Sequence, residues 1–272
     1  MFMIIPIFGA LYLSFTKWTG AGPIKWIGIN NYISLLNHRD FWISFKNSLV
    51  LIALHLGFQL TLALFFSYLL FRTKPGMRFF RSVFFLPTVI SATAIGVMFS
   101  LLFNADLGPI NIFLKSIGLG KFALPWLANK TTVLFVVSFI IIWQFIGYHV
   151  VIILAGMKSI PDEVIESAVI DGANTVVLFF RVILPLIKDM LQVSLIFMVT
   201  GCLKAFDHSY VMTAGGPGVS SSFLAVYMYK QAYSRQKLGL GSAAGLVILL
   251  LAFIFTRLIN WFFYHKDEES VT

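Results

Sequence analysis

Charge is scarce in this sequence. Asp, Glu, Lys and Arg make up 11% of its 272 residues, against about 25% in soluble domains. With 59% hydrophobic residues, 29 phenylalanines and a mean hydropathy of +0.90, an ordinary water-soluble fold is excluded and an integral membrane protein is left. Cysteine is nearly missing: Cys202 stands alone, which rules out an internal disulfide and any thiolate metal cluster. The five histidines, His38, His55, His149, His208 and His265, lack the i, i+4 spacing of a helical metal pair. No glycine-rich loop ends in Gly-Lys-Ser or Gly-Lys-Thr, so the backbone cradle for nucleotide phosphates is absent and the chain is not its own ATPase. Neither a carboxylate pair nor a nucleophile with a base sits where a pocket could form, which argues against an enzyme. Basic residues outnumber acids by 20 to 11 without gathering on one soluble surface, so nucleic acid is not a partner and the excess reads as anchoring at membrane lipid.

What the chain does have is long uncharged apolar runs. Ser48–Phe71, Ser82–Ala105 and Thr131–Met157 each exceed the roughly 20 residues that a helix needs to cross about 30 Å of hydrocarbon. Leu238–Thr256 is continued past Arg257 to Phe263, with the arginine snorkelling near a helix end. Met190–Leu203 needs the Lys188 and Lys204 flanks to complete a crossing, and Met1–Thr16 is shorter than a full span. A secretory signal fits poorly, since no basic segment precedes that stretch. The expectation is an all-α protein of six transmembrane helices, spanning about 1–16, 48–71, 82–103, 131–155, 188–206 and 238–263, in a single domain over 1–272.

Between the fourth and fifth spans lies a polar island, about 157–187. Asp162, Glu163, Glu166 and Asp171 fall within ten residues, and Pro161 followed by two acids is how a helix N-terminus is commonly written. Val164, Ile165, Ala168 and Val169 recur at helical spacing opposite Glu163 and Glu166, which predicts a short amphipathic helix beside the membrane, ended by Gly172. Counts of lysine and arginine on the two sides, nine on the face of this island against eleven on the other, do not settle orientation. The cluster Arg72, Lys74, Arg78 and Arg81 shares the island's face and supports a cytoplasmic assignment.

Glu166-Ser167-Ala168, then Gly172, then Val182-Ile183-Leu184-Pro185 resembles the Glu-Ala-Ala loop of permease subunits in binding-protein-dependent ABC importers. Ser167 replaces the usual Ala and Val182 the usual Ile, both small, shape-conserving changes. Gly28-Ile-Asn-Asn-Tyr32, Phe79 to Pro87, Pro125-Trp126-Leu127, Trp143-Gln144 with Gly147-Tyr148, and Lys204 to Asp207 are similar to landmarks of the first permease in maltose, lactose and glycerol-3-phosphate type systems. The resemblance implies the transmembrane domain of an ABC type-1 importer (MetI-like) and a first helix that is truncated or mis-started. It implies a sugar or related carbohydrate as cargo, and a prokaryotic cytoplasmic membrane as location. The implied partners are a second homologous permease, two ATP-binding cassette subunits that use ATP and Mg, and an extracytoplasmic binding protein; this chain would bind no cofactor. Glu163, Glu166, Ser167, Ala168, Asp171, Gly172, Ala173 and Pro185 would form the ATPase-docking loop, with Glu166 meeting basic residues.

For the substrate path the candidates are Tyr148, Gln144, Gly201 and Lys204. Polar groups within spans tend to face the bundle interior or a wet cavity, and Gln144 and Tyr148 share a helix face beside Trp143. Aromatic faces, amides and hydroxyls suit a sugar, while interhelical hydrogen bonding explains Gln144 equally well. Ala214-Gly-Gly-Pro-Gly218 reads as a tight external turn, and its likeness to a stretch of sugar permeases suggests a contact with the binding protein or the gate. An ion-coupled carrier is the rival class, with His55 and His149 as the ionisable candidates, and import of a non-sugar solute is the rival within the ABC class.

Overall fold

The computed structural model describes residues 4–73 and 77–269, and the side chains of all of these except 78 and 265–269. Residues 1–3 of the expected first span and Lys74 of the basic cluster lie outside the described residues, as do the side chains of Arg78 and Lys266. The chain is helical almost throughout. Helix α1, Ile4–Ser14, leads into a two-stranded ribbon, β1 Thr16–Lys17 paired antiparallel with β2 Lys25–Trp26. There follow α2 Asn30–Asn37, α3 Arg39–Arg72, α4 Met77–Val89, α5 Ala92–Leu102, α6 Pro109–Ser116 and α7 Val133–Lys158. The polar island forms α8 Asp162–Ile170 and α9 Thr175–Leu186, after which come α10 Lys188–Thr213, α11 Leu224–Tyr229 and α12 Leu238–Glu269.

Four helices are long and apolar enough to cross a membrane, namely α3, α7, α10 and the Leu238–Tyr264 part of α12, and the bent pair Phe79–Val89 and Ala92–Leu102 would make a fifth. The six expected crossings therefore meet two differences. Helix α1 has 11 residues, about 16 Å at 1.5 Å each, which is short of the hydrocarbon thickness. The expected span 82–103 breaks at Ile90–Ser91, where hydropathy stays high but the backbone does not stay helical. Pro87 lies inside α4 and cannot donate to the preceding turn, which weakens the helix just before that break. Elsewhere the spans outrun their apolar cores: α3 begins at Arg39 and carries Lys46, and α10 runs to Thr213 with an interruption at Lys204–Phe206. Lysine stems can lie along apolar surface while the head stays wet, so a charge near the interface does not end a helix.

The described chain separates into two compact units. Unit 1 comprises Met1–Ile52, Ser91–Ile140 and Gly201–Ile254, and unit 2 comprises Ala53–Ile90, Ile141–Thr200 and Phe255–Thr272. Within unit 1 a set of polar side chains closes on itself. Ser44, Asn47 and Ser48 occupy one face of α3, and Asn47 Nδ2 donates to the carbonyls of Val219, Ser220 and Ser222 at 3.2, 3.1 and 3.0 Å. Ser44 Oγ bonds Ser222 Oγ, and Ser48 Oγ accepts from the Leu224 amide. Unit 2 has an apolar core of Ala63, Leu70, Ile146, Val150, Ile153, Leu154, Met157, Ile160, Leu178, Ile183 and Ile187. Its helices approach closely where side chains are small: Ser67 Oγ donates to the Val150 carbonyl at 3.0 Å, and a Cβ at Gly147 would overlap the carbonyl oxygen of Phe84. Close backbone approach through small residues is how helices associate without a hydrophobic drive.

Candidate functional site

The polar island folds as its sequence predicts at both ends. Pro161 takes the N-cap position of α8, with Asp162 and Glu163 in the first turn, where carboxylates meet the positive end of the helix dipole. At the other end the Ala173 amide bonds the Ala168 carbonyl and the Gly172 amide bonds Val169. This paired closure needs a left-handed residue, and Gly172 supplies it at φ +85°. Asn174 then caps α9, its Oδ1 accepting from the amides of Val176 and Val177. Pro185 lacks the amide that a helix would use at that position, and the preceding turn Leu178–Ile183 widens to a π-helix; a wide turn of this kind reroutes the local bonding.

Burial separates the residues of α8. Ile165 and Ala168, with Ala173 beyond, pack on the core of unit 2, whereas Glu163, Glu166, Ser167 and Asp171 are exposed. The expected apolar stripe divides: Val164 and Val169 turn outward at 38% and 55% exposure, and Ile170 reaches 85%. Helix α8 buries no residue fully. Among the described residues the Glu163 and Glu166 carboxylates make no hydrogen bond or ion pair. The segment is nonetheless tied to α3, through Tyr68 Oη to the Thr175 carbonyl at 3.2 Å and Arg72 to Thr175 Oγ1 at 3.0 Å.

The four substrate-path candidates fall in two places. Tyr148 and Gln144 belong to unit 2, Gly201 and Lys204 to unit 1. Gln144 is buried; its side-chain Nε2 donates to the Ile90 carbonyl at 2.9 Å, and its backbone carbonyl accepts from Thr88 Oγ1 at 2.8 Å. That side-chain amide bonds the residue that follows α4, which is the interhelical role that sequence alone left open. Tyr148 is half-buried and stands edge-on to Phe197, with centroids 5.9 Å apart. Gly201 and Lys204 are exposed, and Lys204 joins Phe206, Met228, Tyr229, Gly245 and Ile248 around an apolar cavity of about 550 Å³. Phe206, Tyr210 and Tyr229 line up beside it at centroid spacings of 4.9 to 5.0 Å. Ala214 to Gly218 is a tight turn: Ala214 is left-handed at φ +47°, and the Gly216 carbonyl accepts from Ser221 Oγ at 2.8 Å. Among the described residues no group of three His, Cys, Asp or Glu side chains could hold a metal ion.

Sequence reasoning missed the Ser44, Asn47 and Ser48 face and the 2.9 Å bond between His149 Nδ1 and Ser194 Oγ. The first carried a signal, since positions i, i+3 and i+4 on one helix form a stripe; the second joins residues 45 apart and carried none.

Residues 59–264 match the family described as the inner membrane component of binding-protein-dependent transport systems. The chain belongs to this family. A probable ABC transporter permease protein, YurN of Bacillus subtilis (strain 168), is 32% identical to this transport component over 99% of the present chain and 93% of YurN. The multiple sugar-binding transport system permease protein MsmF of Streptococcus mutans serotype c is 29% identical over 92% of the chain and 86% of MsmF. In structure, a bacterial ABC transporter involved in the import of the acidic polysaccharide alginate superposes with a TM-score of 0.84 at 21% identity, covering 97% of this chain and 91% of the other. The fold is therefore that of an ABC importer transmembrane domain, and the protein is a multi-pass membrane transport component.

Proposed function

We propose that the chain is the membrane-spanning permease subunit of an ATP-driven importer of a sugar or related carbohydrate, working in a prokaryotic cytoplasmic membrane. The observation that carries this is α8, a helix that keeps two carboxylates and the apolar Val169–Ile170 edge in solvent beside a buried core. An exposed apolar edge with charges around it is an interaction surface in want of a partner. The partner is one of two ATP-binding cassette subunits, which use ATP and Mg; this chain carries no cofactor and does no covalent chemistry. Glu163, Glu166, Ser167, Ala168, Asp171, Gly172, Ala173 and Pro185 form the docking segment, with Glu166 facing basic side chains of the ATPase.

Closure of the ATPase pair pushes α8, and the Thr175 contacts with Tyr68 and Arg72 pass the push to α3. This is a two-state coupling between an energy source on one chain and a path on another. A second, homologous permease completes the path, and an extracytoplasmic binding protein delivers the cargo. Tyr148, Gly201 and Lys204 line the route, with Gln144 holding the broken helix beside it. Carbohydrate as cargo is supported by the name of MsmF and by aromatic and cationic lining at Lys204, Phe206 and Tyr229.

The test is reconstitution in vesicles of this chain alone, and of the complex with its second permease, ATPase pair and binding protein. Uptake of a labelled sugar panel is expected only from the complete complex with ATP. Uptake by the chain alone, driven by an ion gradient, would overturn the proposal in favour of a carrier, and ATP-driven uptake restricted to non-sugar solutes would overturn the choice of cargo.

A further inference from the structure

The charges of this chain are divided unequally. Unit 1 holds eleven lysines and arginines against three carboxylates, Asp40, Asp106 and Asp207, a formal charge of +8, while unit 2 holds nine against eight, or +1. All eleven cations of unit 1 except Lys230 are exposed. Under the reading of the chain as an importer permease, on which this inference rests, α8 faces the cytoplasm. The N-terminal ends of α3, α7 and α12 then face the other side. Lysine and arginine are normally concentrated on the cytoplasmic side of membrane proteins, and here eleven of the twenty lie in unit 1 with only three carboxylates to balance them.

The ribbon β1–β2 shows the excess most clearly. Lys17 and Lys25 are directly opposite in its register, and both are exposed. Like charges facing each other across two strands are destabilising, and among the described residues neither has a carboxylate partner; the ion pair in this unit joins Arg235 to Asp40 at 3.6 Å. Next to the two lysines, Trp26 is 63% exposed and rigidly backed, stacked on Phe15 at 5.5 Å with Tyr12 at 6.0 Å. The ribbon is held firmly. Asn31 Nδ2 donates to the carbonyls of Ser14 and Thr16, each at 2.8 Å, and a Cβ at Gly239 would overlap the Thr16 carbonyl, which places the ribbon against the first turn of α12. The far part of α12 is bonded, Asn260 to Gln192, beside the start of α10 where the docking segment ends. The ribbon therefore sits at the N-terminal end of α12.

We propose that the Thr16–Trp26 ribbon is a docking element for an acidic surface of the extracytoplasmic solute-binding protein. The lysines supply attraction and orientation at long range, and an exposed, pre-positioned tryptophan is a common anchor at the centre of an interface. The unfavourable Lys17–Lys25 opposition is relieved when carboxylates of the partner come between them.

The experiment uses the complete complex in phosphatidylcholine nanodiscs and the solute-binding protein that stimulates its ATPase activity, with affinity read by fluorescence titration. The wild-type affinity is expected to fall about tenfold between 50 and 300 mM NaCl, as charge-steered association does. Lys17→Glu is expected to weaken binding by about tenfold or more at 50 mM and to flatten the salt response. Its melting temperature should hold or rise, because a carboxylate opposite Lys25 suits the ribbon. A merely structural role for Lys17 would not lower affinity while sparing stability. Trp26→Ala is expected to weaken binding while leaving the salt slope intact. Wild-type affinity and salt slope in Lys17→Glu would overturn the inference, as would a Lys17 effect that appears only with phosphatidylglycerol in the nanodisc, which would make the ribbon a lipid anchor. A wild-type complex that no solute-binding protein binds or stimulates would instead overturn the importer reading itself.

Discussion

Two polar segments interrupt the apolar spans, and the fold uses them in opposite ways. In unit 2, α8 leaves Glu163 and Glu166 in solvent and exposes Ile170 at 85%. In unit 1, the segment from Asp207 to Leu224 turns its polar groups inward. Ser209 Oγ donates to the Ser221 carbonyl at 2.6 Å, Thr213 Oγ1 shares a bond with Ser221 Oγ at 2.7 Å, and Asn47 draws in three more carbonyls. Polar groups removed from water must be bonded, so the inward segment is satisfied within the chain and is structural. The outward segment is satisfied by water and leaves apolar edge uncovered, which is the mark of a surface that another molecule completes.

That contrast can be broken most forcefully at Asn47. Asn47→Leu should remove a donor shared by three backbone carbonyls, of which Val219 keeps the Ser222 amide, and destabilise the transport component itself by about 3 kcal/mol, since unsatisfied buried groups cost on the order of 1 to 3 kcal/mol each. Thermal unfolding in detergent should show a clear fall in midpoint; an unchanged midpoint would mean that the 214–222 turn stands without α3. Glu166→Lys should do the reverse. With the carboxylate in solvent and unbonded, folding should shift by less than about 0.5 kcal/mol, while copurification of the ATPase should drop about 30-fold, some 2 kcal/mol of like-charge contact in an interface. Normal copurification, or a melting loss as large as that of Asn47→Leu, would erase the distinction between the segments. The smallest effect is expected at Ser167→Ala. Ser167 Oγ bonds back to the Glu163 carbonyl at 2.7 Å, a contact that adds little to a helix. Stability and ATPase coupling should stay within about 0.5 kcal/mol of the parent, and a tenfold loss of ATP-driven uptake would show that the hydroxyl itself touches the partner.

Much of the polar island was legible because its signals are local. Pro161 with two acids, Gly172 and Asn174 act through the backbone of their own neighbours, and the helix start, the left-handed stop and the next cap are where those residues require them. The direction of the apolar stripe was not legible. Val164 and Val169 belong to the same helical pattern as Ile165 and Ala168, and periodicity cannot divide a stripe between a core and solvent. The same limit applies to Gln144, whose amide could have faced a sugar or a neighbouring helix until the bond to Ile90 decided it. The break at Ile90–Ser91 escaped hydropathy because one small serine between Ile90 and Ala92 is too little polarity to interrupt an apolar run.

The sequence by itself determined that this is a helical membrane protein, where its polar island lies, how that island begins and ends, and which family it joins. These follow from composition, hydrophobic run length and short-range capping, each set by residues within a few positions of one another. Only the tertiary structure decided that α8 keeps its carboxylates outside, that Ser44, Asn47 and Ser48 hold a turn more than 170 residues away, and that Lys17 faces Lys25 beside the start of α12. Those arrangements depend on contacts between distant parts of the chain, where the cost of an unbonded polar group or an opposed charge is set by neighbours that local sequence does not name.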